Sequence, residues 1–154
     1  MAFSFNTLLM ELGAEIGVDP DALVRTQELI VDNNVIGMYL DADNLSDSSS
    51  SASQMVVFFT LLGNVSYEDF PRVARTLLEA NNLWAGTGGC TLGLQRGHDQ
   101  ATLSAQLPLS ALDGRSFSVA IHGFCDTANF WRRYIAELEV QHADSWRMYS
   151  LETP

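Results

Sequence analysis

The chain has 154 residues, 47% of them apolar, which suits one compact domain with its own core and excludes a disordered tail. Eight Lys and Arg stand against nineteen Asp and Glu, a net charge of −11 with a pI near 4.4. Such a surface repels nucleic acid and anionic lipid; it suits a basic or amphipathic partner, or simply keeps an apolar-faced protein soluble.

The opening stretch, MAFSFNTLLMELGAEIG, lacks a basic leader and carries Glu11 and Glu15 among its apolar residues, so it does not read as a signal peptide. Residues 4–17 instead read as a helix, with Phe5, Leu8, Leu9, Leu12 and Ile16 at helical spacing and Gly17 and Asp19-Pro20 as its stop. Residues 28–41 read as strand, turn, strand around Asp32-Asn33-Asn34. A polar, Ser-rich loop covers about 42–54, and the strongly β-prone run MVVFFTLL follows at 55–62. A second helix is expected over about 67–82. Ser66 or Asp69 would cap it, Pro71 falls in its first turn, and Phe70, Val73, Ala74, Leu77 and Leu78 form its apolar face. Two strands follow at 90–95 and 101–109, joined through Gly97.

The last helix begins near Asp113. Its stripe Phe117, Ile121, Phe124, Ala128, Trp131, Ile135 and Leu138 steps by fours and threes. The tail at about 141–154 either extends this helix or frays. The order α-β-β-β-α-β-β-α predicts an α+β fold, an antiparallel twisted sheet packed with three helices in a single domain over 1–154.

Four glycines beside a tryptophan, in NNLWAGTGGCTLGL, raise the possibility of a phosphate loop. The order of elements argues against it. Phosphate loops lead from a strand into the positive end of a helix, whereas here a helix ends and a strand begins. The spacing Gly86-x-Gly88-Gly89 fits neither dinucleotide nor P-loop patterns, and no lysine is near. The expected role is a glycine C-cap and a tight entry into the next strand. Asp41-Ala42-Asp43 starts like a calcium loop but lacks the glycine and glutamate that such a loop needs. Cys90 and Cys125 have no metal spacing and read as packed, reduced thiols. His98, His122 and His142 share no ligand spacing. No nucleophile–base pair or spaced carboxylates support an enzyme, and no cofactor or metal is implied.

Between Tyr67 and Leu138 the chain carries Leu77, Leu78, Ala80, Asn81, Leu83, Trp84, Thr87, Gly88 and Gly89 in an order that resembles the class I type III secretion chaperones, the Tir-chaperone (CesT-like) family. The resemblance continues through Leu107, Pro108, Leu109, Leu112, Phe117, Trp131 and Arg132, with LLMELGAEIGV similar to the family's first helix. No single piece is specific, but the ordered set is. Two departures stand near surfaces that could choose a partner: the long Ser-rich loop at 46–53 and a strand end, TLLGNVSYED, without the common Leu-Gly-x-Leu-Pro step.

The resemblance implies an acidic, cytoplasmic bacterial homodimer without nucleotide. It would bind the N-terminal region of one or more secreted effectors, keep it extended and present it to the secretion apparatus. On this reading effector contact falls to Phe3, Phe5, Leu9, Met38, Leu40, Val57 and Phe59, of which only a minority should reach a client. The two-fold interface falls to Leu77, Trp84, Cys90, Leu92 and Leu94. The alternatives are a dimeric small-ligand-binding or regulatory α+β domain, which would need a closed polar-lined pocket, and an uncharacterised enzyme.

Overall fold

The computed structural model describes residues 4–41 and 54–151, with side chains as far as 138. Elements run α1 (Phe5–Ile16), α2 (Pro20–Thr26), β1 (Glu28–Val31), β2 (Asn34–Asp41), β3 (Met55–Asn64), α3 (Phe70–Asn81), β4 (Thr91–Leu94), β5 (Gln100–Pro108) and α4 (Gly114–Leu151). Short 3-10 turns occupy Asn82–Trp84 and Leu109–Ala111. Among the described residues five strands form an antiparallel sheet in the order β1-β2-β3-β5-β4, an α+β architecture with four helices. Tertiary contacts group the chain into two compact units, Met1–Thr60 with Ser104–Asp126, and Leu61–Leu103 with Thr127–Pro154.

In the first unit, Ser4 caps α1 by accepting from Thr7 N–H, and Gly17 ends the helix with φ 76°. The additional helix is α2. Asp19 and Pro20 stop α1, as expected, but they also start α2: the Asp19 carboxylate accepts from Asp21 N–H at 3.1 Å and Pro20 takes the first helical position. Seven residues are too few for periodicity to reveal. The two helices meet where Gly13 has no side chain, since a Cβ there would lie 2.9 Å from Pro20 Cα.

The β1–β2 turn is shorter than the sequence suggested. Asp32 and Asn33 hold it with φ of 49° and 63°, while Asn34 is already the buried first residue of β2. That two-residue turn fixes the register, with Leu29 opposite Ile36 and Gly37 opposite both Glu28 and Phe59. Alternation then turns Ile36, Met38, Val56 and Phe58 inward. Phe58 meets Phe117 and Phe124 of α4 edge-on, at 5.5 and 5.0 Å between ring centroids. Asp113 and Ser116 cap α4 reciprocally. Ser116 N–H donates to Asp113 Oδ1 at 2.7 Å and Asp113 N–H donates to Ser116 Oγ at 2.9 Å.

In the second unit, α3 begins at Phe70 rather than 67. Asp69 sits at its N-cap position without capping an amide; its carboxylate instead takes Ser66 Oγ at 2.8 Å and Arg72 at 3.2 Å. Arg72 also donates to the Leu138 carbonyl of α4. Only Val73 and Leu77 of the expected apolar face are buried. Phe70 and Leu78 face water. The expected glycine C-cap is not formed: Asn82 ends α3 in an extended conformation, and Leu83 and Trp84 take φ of 55° and 54° before the glycines are reached. The tail continues α4 as helix to Leu151.

Candidate functional site

The outer face of β1–β3, within the first unit, is apolar and open. Antiparallel pairing places Ile30 opposite Val35, Tyr39 opposite Val57 and Gly37 opposite Phe59, all on the face away from the core. Ile30 is 71% exposed and Val35 54%, with Tyr39 and Phe59 near half. Single exposed apolar residues are ordinary; a set sharing one sheet face marks a contact surface. Phe59 lies across Gly37, where a Cβ would come within 2.6 Å of its ring, and Tyr39 meets Phe59 edge-on at 6.4 Å. The glycine thus lets an aromatic ring lie flat on the sheet.

This register sorts the residues expected to meet an effector. Val57 and Phe59 are on the open face, Val57 partly covered. Met38 points into the core, as do Phe5 and Leu9 of α1, and Leu40 is half-buried on the inward-facing set. Phe3 lies outside the described residues, as does nearly all of the Ser-rich loop. Sequence reasoning missed Ile30, Val35 and Tyr39. Their signal was present: the Asp32-Asn33 turn fixes the pairing, and counting by twos from Phe59 reaches Val57, across the pair to Tyr39, and on to Val35.

The edge of this surface is strand β1. Met38 N–H donates to Gln27 O at 2.8 Å, so the hydrogen-bonded rungs are Gln27, Leu29 and Val31, and the backbone groups of Glu28 and Ile30 point outward. Thr26 occupies those of Glu28. Glu28 N–H donates to its hydroxyl at 3.3 Å, and the hydroxyl reaches Ala22 O at 3.1 Å and Glu28 O at 3.4 Å. Ile30 is left with an open N–H and C=O among the described residues.

The second surface lies on the second unit, around α3 and the turn that follows. Leu78, Leu83 and Trp84 are all well exposed. Two side chains hold the strained turn between them. Asn81 bonds both backbone groups of Leu92 on β4, with Nδ2 to Leu92 O at 2.8 Å and Leu92 N–H to Oδ1 at 2.9 Å. Trp131 of α4 donates from Nε1 to Gly86 O at 3.0 Å. A left-handed leucine and tryptophan cost about 1–2 kcal/mol each, which these bonds and Gly86 N–H to Ala80 O must hold in place. Of the residues expected at a two-fold interface, Trp84 is exposed and Leu94 half-buried, whereas Leu77, Cys90 and Leu92 pack inside the unit. Burial pushes the Cys90 thiol up, which makes it a packing residue rather than a nucleophile.

Among the described residues no group of three His, Cys, Asp or Glu is placed to hold a metal ion, and no helix is long and apolar enough to cross a membrane.

The model of the Tir chaperone protein (CesT) family matches residues 7–132. The chain belongs to that family. It is therefore a type III secretion chaperone, a protein that binds effectors. Two solved structures share the fold. The ExsC–ExsE complex aligns with a TM-score of 0.61 and 19% identity over 84% of this chain and 92% of that one. The HopA1–SchA chaperone–effector complex aligns with a TM-score of 0.62 and 17% identity over 84% and 93%. No curated protein matches the chain by sequence. Helix α4 continues for nineteen residues past the end of the family match at 132.

Proposed function

We propose that the chain is a cytoplasmic, non-catalytic homodimer that holds the N-terminal segment of a secreted effector, extended, against the outer face of β1–β3. The observation that carries this reading is the shared outward face of Ile30, Val35, Tyr39, Val57 and Phe59 in a member of a chaperone family, one of whose structural neighbours is a chaperone–effector complex. An extended client lays alternate side chains on such a face, and Ile30 offers one open backbone pair to it. The family match spans parts of both compact units, which supports treating them as one functional domain. Self-association falls to Leu78, Leu83 and Trp84, because exposed apolar residues on α3 and in the turn that follows it suit an isologous contact. Presentation to the secretion apparatus completes the role.

The test is co-purification of tagged chain from its native host under secretion-permissive conditions, followed by mass spectrometry. One dominant protein held through its N-terminal region, and lost from an Ile30→Ser/Tyr39→Ser chain, is the expected result. A partner retained undiminished by that variant would place the client elsewhere. Sedimentation of Leu78→Glu tests the interface, and an unchanged dimer would move it off α3.

A further inference from the structure

The net charge of −11 is not spread evenly. The described residues of the first unit carry nine acidic side chains and only two basic ones, Arg25 and Arg115. Those of the second unit, with side chains described to Leu138, carry five of each. The excess lies in the unit that carries the apolar platform; seven of its nine acidic side chains are on or at the caps of α1, α2 and α4 or in the β1–β2 turn, and two, Glu28 and Asp41, are on the strands. On the platform's own face the pattern is sharper. Glu28 shares the outward side with Ile30 through its pairing with Gly37, and Asp41 shares it with Tyr39, two residues on. None of the outward positions of β1–β3 in this unit carries Lys or Arg.

We infer that the segment held on this platform is basic as well as apolar: an extended peptide whose buried positions are aliphatic or aromatic and whose flanking positions are Lys or Arg. This rests on the reading of the platform as the effector-binding face and adds the chemistry of what it accepts. Two carboxylates, Glu28 and Asp41, at the end of the apolar face away from the Asp32-Asn33 turn attract a cationic flank, speed its capture and disfavour acidic segments. The long stems of Lys and Arg also lie well along apolar surface while their charges reach Glu28 and Asp41.

The experiment is selection of a displayed random 16-residue peptide library on the full-length chain, with the Ile30→Ser chain as counter-target. Enriched peptides are expected to combine apolar residues with an excess of Lys and Arg. A representative one should bind at least about fivefold more weakly at 0.5 M than at 0.05 M salt. Glu28→Lys should weaken that peptide and leave the fold, read by circular dichroism, unchanged. Enriched peptides that are neutral or acidic, or affinity indifferent to salt and to Glu28→Lys, overturn the charge inference while leaving the platform as the docking face. A selection that enriches nothing over the Ile30→Ser chain overturns the docking reading itself, and the inference with it.

Discussion

Asn81 is the side chain whose removal says most about how the second unit is built. Its carboxamide acts as a strand partner for Leu92, donating to the carbonyl at 2.8 Å and accepting from the amide at 2.9 Å in a half-buried setting. Each such bond contributes about 1 kcal/mol net, and leaving partly buried backbone groups unpaired costs more. Asn81→Ala should thus destabilise by about 2 kcal/mol. With a urea slope near 2 kcal/mol per molar, the midpoint falls by about 1 M. Asn81→Asp is the sharper variant. The carboxylate keeps the acceptor for Leu92 N–H but turns a lone pair toward Leu92 O, so its charged form is disfavoured and its folded pKa lies above the unfolded value of about 3.9. A group raised in this way contributes most below the unfolded pKa and loses that contribution as pH climbs through the folded one. The deficit of Asn81→Asp against wild type should therefore be largest at pH 7 and shrink toward pH 4, whereas that of Asn81→Ala stays level. The assay is urea unfolding by tryptophan fluorescence at fixed chain concentration across that range. An Asn81→Asp chain as stable as wild type at pH 7 would refute the pairing.

Other variants separate surface from scaffold. Gly37→Ala forces the Phe59 ring aside, and because that ring is half-exposed it can swing, so stability should change by less than about 1 kcal/mol while client affinity, read by titration calorimetry, falls. Thr87 Oγ1 is buried and has no hydrogen-bond partner among the described residues, so Thr87→Val should be neutral or stabilising in thermal melts, against the usual cost of a core change. Leu83→Gly relieves a left-handed φ of 55°; the melting temperature should hold or rise at low chain concentration, while any dimer weakens in sedimentation. The Asp113 carboxyl is held below its usual range by the N–H and hydroxyl of Ser116. Its contribution is present above the unfolded pKa and lost as pH falls through the folded one, so Asp113→Asn should flatten the acid limb of the stability curve.

Long, periodic elements were legible because each residue repeats the same instruction. The α4 stripe from Phe117 to Ile135 is buried throughout, and α1 runs within a residue of its expected bounds at each end. What escaped the sequence had conflicting or too few signals. Asp19-Pro20 stops one helix and starts another within three residues, and α2 then has only seven residues in which to show itself. The turn at Leu83-Trp84 runs against residue preference, since glycines stand three positions on. Its conformation is fixed by Asn81, Trp131 and Gly86, groups brought together only by folding. The site was half legible for a similar reason. Met38 and Phe59 are both apolar strand residues, but one residue of register decides that Met38 pairs with Phe58 inside while Phe59 crosses Gly37 outside.

A protein that keeps an apolar sheet face open must stop its own copies from using the sheet edges. Both edge strands are short, four residues each, and each has a polar side chain over one outward backbone pair: Thr26 at Glu28 on β1, Asn81 at Leu92 on β4. The two plugs differ in strength. Asn81 makes two well-formed bonds at 2.8 and 2.9 Å, while Thr26 spans 3.3 and 3.4 Å with one hydroxyl that also bonds Ala22. A competing strand would find the Leu92 pair of β4 well covered and the Glu28 pair of β1 covered only loosely, beside the open pair of Ile30. Thr26→Val should accordingly change little in the isolated chain beyond a few tenths of a kcal/mol, yet raise self-association at high concentration and strengthen binding of an extended client, because Glu28 N–H and C=O become available to it. Thr26→Asn, which can fill the gap more completely, should do the reverse. If light scattering and client affinity are the same for Thr26→Val, Thr26→Asn and wild type, the β1 edge has no part in recognition, and the outer face alone accounts for it.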